Sequence, residues 1–228
     1  MTDENKDYQK DRAGQPLALE KRKTSVDGRR FSPSTGRNKD VVRATYQAHM
    51  PSSGTVLEIA SGTGEHGAHI VEAIPDLTWV YSDIDPASQA SQHAWRTASD
   101  HDRLRGPLTI DTSLPVWDGT DALAPLDGMF CANMIHIAPF AAAEGLFAGA
   151  GHILRTNGRL MIYGPFARRG EIAQSNARFS EDLQRRDPRW GVRDLDLQIL
   201  PLAARADLRA VEVIEMPANN LSVIFEKA

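Results

Sequence analysis

"VLEIASGTGEHG", residues 56–67, decides how the rest of the chain is read. An apolar run starts it, interrupted by one carboxylate, Glu58, and the run breaks at Ala60–Ser61 into Gly62, Gly64 and Gly67. An apolar run bounded by glycines reads as a buried strand, and the residues beyond the glycines have helical character, so the unit is strand, turn, helix. Such a turn lets a ligand lie close to the backbone and aims the free N–H groups of a helix start at it. The glycines form a literal G-x-G-x-x-G, and Asp83 comes nineteen residues after Gly64. Taken alone, that is the pattern of a dinucleotide site, with the acid receiving ribose hydroxyls.

Three details point away from a nicotinamide cofactor. Glu58 lies inside the first strand of the unit, where a carboxylate repels a pyrophosphate and loses solvation unless it is hydrogen-bonded. Asp111 is expected at the end of the third strand, so a ligand crossing the strand tips would meet Glu58, Asp83 and Asp111 in turn. The C-terminal "LRAVEVIEMPANNLSVIFEKA" reads as two strands with a short link, hence antiparallel. An antiparallel final strand is foreign to the ordinary doubly wound dinucleotide fold.

The chain between these points alternates strand and helix. Helices are expected near 65–74, 86–99 (opened by Pro86), 141–154, 171–186 and 200–206, with strands "LTWVYSD", "GPLTIDT", "LDGMFCANMI" and "GRLMIYG" between them. Alternation of this kind implies a parallel sheet with helices on both faces. Residues 1–28 are polar and read as a disordered extension to a domain over 29–228. The first helix is expected after "FSPSTGRN", a loop that reads as a lid or a plain surface turn.

Bulk properties narrow the function. The net charge is −4, but residues 1–40 hold ten Lys/Arg against seven Asp/Glu, and the remainder sixteen against twenty-three. An acidic body argues against a nucleic-acid backbone as partner. No apolar run is long enough to span a membrane, and the polar N-terminus lacks the apolar core of a secretion signal, so a cytoplasmic location is expected. Cys131 is the sole cysteine and excludes an internal disulfide. His66 and His69 are spaced i, i+3, but nothing nearby completes a ligand set, and no metal is expected.

"VLEIASGTGEHG" with "YSDIDP" resembles motifs one and two of class I S-adenosylmethionine-dependent methyltransferases. More narrowly, "GRNKD", "EIASGTGEH", "SDIDP", "NMIHIAPF", "GRLMIYGPF", "QSNARF", "DPRWGVRD" and "MPANNLSVIF" resemble the methyltransferase-like 26 family, also catalogued as domain of unknown function 938. The resemblance runs from about residue 31 to the C-terminus. It implies an α/β Rossmann-like fold with a seven-stranded, mostly parallel sheet of order 3-2-1-4-5-7-6, the last strand antiparallel. It implies S-adenosylmethionine as cofactor, with Gly62, Thr63 and Gly64 around its methionine part and Glu58 orienting that loop. Asp83 would accept both ribose hydroxyls and Asp111 with Thr112 would read the adenine edge, with Ala60 and Ile84 as further cofactor contacts. Ser61 stands where class I enzymes more often carry glycine.

The expected activity is methyl transfer to a small-molecule acceptor, by a monomer or homodimer. In a sheet of this topology the crevice opens at the C-terminal strand ends. Asn133 is expected at the cofactor's amino-acid end and His136 near the reacting methyl group, as a base or substrate anchor, or else as a packed histidine. Tyr163, Trp190, Arg193, Asn219 and Asn220 are candidates for the acceptor wall, with Arg37 and Asn38 above it. Arg193 suits a substrate carboxylate or an internal ion pair; the two asparagines suit a polar substrate or hairpin turn chemistry. The alternatives are a cofactor-binding scaffold without turnover, an S-adenosylmethionine enzyme of another reaction type, and an NAD(P)-dependent oxidoreductase.

Overall fold

The computed structural model describes residues 21–228. Its elements, in chain order, are β1 (Lys23–Thr24), β2 (Arg30–Phe31), α1 (Pro33–His49), β3 (Ser53–Ile59), α2 (Glu65–Ala73), β4 (Asp76–Ser82), α3 (Pro86–Ala98) and β5 (Leu104–Leu108). They continue with β6 (Leu126–Ala132), α4 (Phe140–Ile153), β7 (Leu154–Ala167), α5 (Gln174–Arg186), β8 (Arg193–Asp194), α6 (Leu200–Arg205), β9 (Leu208–Met216) and β10 (Asn220–Lys227). The main sheet runs β5-β4-β3-β6-β7-β10-β9. The strands from β5 to β7 are parallel, whereas β10 is antiparallel to both β7 and β9. This is the Rossmann-like methyltransferase arrangement, in the strand order expected. An eighth strand adds to the expected seven: the two residues of β8 pair with Phe166 and Ala167 at the end of β7.

Side-chain alternation along each strand feeds two cores. Leu57, Ile59, Met129, Cys131, Leu160, Ile162, Val223 and Phe225 pack on one face against α4 and α6. Val56, Trp79, Tyr81, Phe130, Met161 and Ile224 pack on the other against α1 and α2. The parallel strands all aim their C-terminal ends the same way, and the β9–β10 turn joins them because Asn220 pairs with Pro165.

Four boundaries differ from expectation. The first helix begins at Pro33, with the Ser32 hydroxyl capping Thr35 N–H, so Arg37 and Asn38 lie inside α1 and not in a loop before it. Serine at the cap with proline in the first turn is a strong start signal, and Gly36 does not stop it. The third parallel strand ends at Leu108, just after Pro107, which has no N–H to give a ladder, so Asp111 lies three residues past it. The strand expected at "GRLMIYG" starts earlier, at Leu154, and residues 155–158 form a bulge within β7: Leu126 opposes Leu154 and Gly128 opposes Arg159, with Asn157 at φ 61°.

The fourth concerns the N-terminus. Residues 1–20 of the expected extension lie outside the described residues, but its last part is built onto the domain. β1 and β2 form a hairpin that docks on α3. There Arg29 sits 4.8 Å from the centre of the Trp95 ring, Phe31 meets the same ring edge-on, and Arg30 N–H donates to Ser91 Oγ at 2.9 Å. Among the described residues, no helix is long and apolar enough to cross a membrane.

Candidate cofactor and acceptor site

The three glycines of the turn do different work. At Gly62, φ is 56° and an added Cβ would meet only the Arg22 guanidinium at 3.7 Å and Ala60 O at 4.0 Å, so the space beside its Cα is open, while its carbonyl accepts from Gln92 Nε2 at 3.0 Å. Gly64 has φ 85° and faces inward: its Cβ would come within 3.0 Å of Trp95 on α3. A Cβ on Gly67 would lie 2.3 Å from Trp79 Nε1, so this glycine is what lets α2 press on β4. Ala60 holds φ 54° without being glycine, a conformation that only surrounding structure sustains. Thr63 is buried beneath the turn; its hydroxyl bonds Glu65 and its carbonyl accepts from Ser91 Oγ. Of the residues expected to wrap a ligand, Gly62 leaves open space at its Cα, whereas Thr63 and Gly64 secure the turn to α2 and α3.

The acidic rim expected across three strand tips loses Glu58. Glu58 shares a strand face with Val56, points beneath α2, is 2% exposed and accepts Trp79 Nε1–H at 2.8 Å. Burial raises its pKa to about 8 against the lowering effect of the Trp79 and Ser61 bonds, so it is mainly neutral at pH 7. It ties β3 to β4 below the turn and does not reach the rim. Asp111 bonds Ser113 through N–H and hydroxyl, capping its own turn. Asp83 is the acid that meets the glycines: its Oδ2 accepts Gly62 N–H at 2.8 Å and its Oδ1 accepts Asp85 N–H at 2.9 Å. Burial raises its pKa to about 6, opposed by those two N–H donors. Beside it Ile84 is half exposed, an apolar side chain left at the mouth of the crevice. Thr112 is buried behind Asp111.

At the end of β6, Asn133 takes a left-handed conformation (φ 61°), donates its N–H to Tyr163 O at 2.8 Å, and starts the 3-10 turn Met134–His136. His136 is 1% exposed, packs edge-on against Phe166, and has no hydrogen-bond partner for either ring nitrogen among the described residues. Burial and the nearby Arg193 charge lower its pKa to about 3, so the ring is neutral. Gly164, at φ 158°, makes room for it: a Cβ there would lie 2.7 Å from His136 Nε2. Arg193 is spent on the backbone of this loop, donating to Ile135 O, Ala138 O and Arg189 O at 2.8–3.0 Å. It is thereby a clamp, and the expected carboxylate partner has no free fork to bind. Trp190 is buried in the same segment, and Gly191 N–H donates to His136 O.

On the opposite face of β7, α1 brings Asn38 to two partners. His66 Nε2 lies 3.0 Å from Asn38 Oδ1, and Asn38 Nδ2 donates to Tyr163 Oη at 3.3 Å. Arg37, next to Asn38, is exposed. The asparagine pair forms the hairpin itself: Asn219 donates to Ser175 Oγ and accepts from Asn176 at its carbonyl, and Asn220 donates to Pro217 O. Sequence reasoning misses His66 and Asn176. In the sequence His66 stands out only as half of a metal pair with His69, which instead bonds Asp40 at 2.7 Å. The signal that could have found it is its place in the first turn of the helix opened by the glycines.

Solved structures share the fold at low identity. An O-methyltransferase family protein from Burkholderia thailandensis matches with TM-score 0.71 and 15% identity, over 86% of this chain and 56% of its own. An O-methyltransferase family 2 protein from Planctomyces limnophilus, solved with apigenin, gives 0.69 and 19%, over 86% and 60%. Human N-acetylserotonin methyltransferase, solved with SAM, gives 0.66 and 12%, over 86% and 53%. The chain thus spans little more than half the length of these proteins. Residues 29–227 match the family described as "Protein of unknown function (DUF938)", and the chain belongs to that family.

Proposed function

We propose that the protein is an S-adenosylmethionine-dependent methyltransferase acting on a small molecule, as its resemblance to the methyltransferase-like 26 family also implies. The observation that carries this reading is β10, antiparallel between β7 and β9, in a sheet that opens on a glycine turn held by a buried acid. When bound, the cofactor would supply an electrophilic methyl group: an acceptor lone pair would bond to its carbon in line with the breaking carbon–sulfur bond, and the sulfur would leave as a neutral thioether. The chain's part is to position, and holding two reactants in line can contribute roughly 7–11 kcal/mol.

Each residue's share comes from its place. Asp83 accepts ribose hydroxyls, Gly62 leaves room beside it, and Ile84 offers an apolar surface. Asp111 and Thr112 remain the candidates for the adenine edge, and Asn133 for the amino-acid end. His136 is the candidate at the acceptor. A buried polar group without a partner costs about 1–3 kcal/mol, so its two orphan ring nitrogens point to a hydrogen bond supplied from outside the described chain. A ring with pKa near 3 is a poor base at neutral pH and suits an orienting role better.

Calorimetric titration tests the reading: S-adenosylhomocysteine should bind, and binding of NAD(P)H in its place would overturn it. Incubation with isotope-labelled S-adenosylmethionine in a metabolite extract, read by mass spectrometry, then identifies the product. His136→Ala should lower turnover and leave cofactor affinity nearly intact; unchanged turnover would reduce the histidine to packing. Cofactor affinity should also depend on acid. Asp83 is ionised above about pH 6 and accepts two hydroxyls, but its protonated form gives up acceptor capacity. Affinity is therefore expected to fall as the pH drops through about 6, and a flat profile from pH 5 to 8 would remove Asp83 from the ribose site.

A further inference from the structure

Three side chains from three elements meet at the crevice end of β7. His66 belongs to the first turn of α2, Asn38 to α1, and Tyr163 to β7, where it stands opposite Ala132, the last residue of β6. Asn38 Oδ1 can only accept, so the 3.0 Å contact makes His66 Nε2 the donor. That fixes the neutral tautomer and turns the Asn38 amide so that Nδ2 donates to Tyr163 Oη. The tyrosine oxygen is thus occupied as an acceptor. Its own proton has no acceptor among the described residues, and its hydroxyl is less deeply buried than those of Tyr46 and Tyr81. A polar chain that ends in a part-exposed donor leaves that donor to solvent in the empty site and free to meet an acceptor oxygen in a filled one.

The chain also has a charge character. Burial keeps His66 neutral, helped through space by His69 and Lys39, and raises the Tyr163 pKa so that it keeps its proton. None of the three side chains forms an ion pair among the described residues, and Arg193, across β7 from them, already serves three carbonyls. Resting on the methyl-transfer reading, we infer that Tyr163 donates to an uncharged oxygen of the acceptor, a hydroxyl or carbonyl. Asn38 and His66 act behind it as positioning residues that hold the tyrosine oxygen in place. The acceptor class this selects is a neutral oxygen-bearing small molecule, with carboxylates and ammonium groups disfavoured at this subsite.

The test uses the full chain loaded with S-adenosylhomocysteine and three fluorinated probes followed by fluorine NMR: para-fluorophenol, para-fluorobenzoate and para-fluorobenzylamine. The phenol is expected to bind and the two ions to bind at least about tenfold more weakly, the loss expected when a hydrogen bond is made at the cost of a buried charge. Tyr163→Phe should weaken the phenol by roughly tenfold and His66→Ala by a smaller factor, both with the S-adenosylhomocysteine Kd unchanged. His66→Gln keeps an N–H donor and should recover most of the loss. The double variant should bind no worse than Tyr163→Phe alone, because the histidine works only through the tyrosine. Equal binding of phenol and benzoate, no phenol binding, an unaffected Tyr163→Phe, or multiplicative losses in the double variant would each overturn the inference while leaving methyl transfer standing. If S-adenosylhomocysteine itself does not bind the wild type, the methyl-transfer reading falls and this inference with it.

Discussion

Asp83→Ala is expected to weaken S-adenosylhomocysteine binding by more than about tenfold, because each charge-assisted hydrogen bond is worth roughly 1.5–3 kcal/mol and 1.4 kcal/mol is tenfold. The same substitution should change the stability of the ligand-free protein far less. Asp83 does hold Gly62 N–H and Asp85 N–H. Against that, its carboxylate is desolvated, and its pKa stands at about 6 where 3.8 is usual. A raised acid favours folding below the unfolded pKa and loses that contribution as the pH rises through about 6. At pH 8 the charged form is therefore a cost to the empty fold, partly offset by its two donors. Asp83→Asn, which keeps one acceptor without charge, should lie between wild type and alanine and should lose the acid dependence of binding. Calorimetry at pH 5 and pH 8 on the three proteins checks all of this. An alanine variant that binds as well as wild type would place the ribose elsewhere.

What the sequence disclosed was what is local, and what it withheld was direction. Strand, turn and helix around Gly62 are set by a few consecutive residues, as is the antiparallel pair at the C-terminus. The path of Glu58 depended on parity: it shares a face with Val56, and the neighbouring strand puts Trp79 beside them. The alternation was readable, but the face that α2 covers was not. The start of α1 was written in Ser32-Pro33, and the polar, glycine-bearing stretch after it obscured the signal. Arg193 and the Asn38–His66–Tyr163 chain join positions 28 to 125 residues apart, which no local pattern reports.

Gly145→Ala should be the most damaging single-methyl change, although helix propensity predicts the reverse. Gly145 lies inside α4, where alanine is favoured over glycine by about 1 kcal/mol. The methyl, however, would fall 1.6 Å from Thr112 O and 2.8 Å from its carbonyl carbon. The obstacle is backbone, so relief requires α4 or the Asp111–Ser113 turn to move as a unit. Overpacking costs about 1–3 kcal/mol when side chains can yield, and occasionally more, so a backbone clash belongs at or above the upper end and exceeds the propensity gain. A net loss near 2 kcal/mol corresponds to roughly 4–8 °C in Tm for a chain of this size. The damage should also reach the site, since Asp111 and Thr112 are the candidates for the adenine edge; S-adenosylhomocysteine affinity is expected to fall with Tm. Gly36 in α1 is the control, because a Cβ there meets nothing within 4 Å. Gly36→Ala should realise the propensity gain and raise Tm by roughly 2–4 °C. Thermal melts and one titration decide it. If Gly145→Ala melts at or above wild type, α4 does not bear on the Thr112 carbonyl, and the adenine end of the proposed site loses its backing.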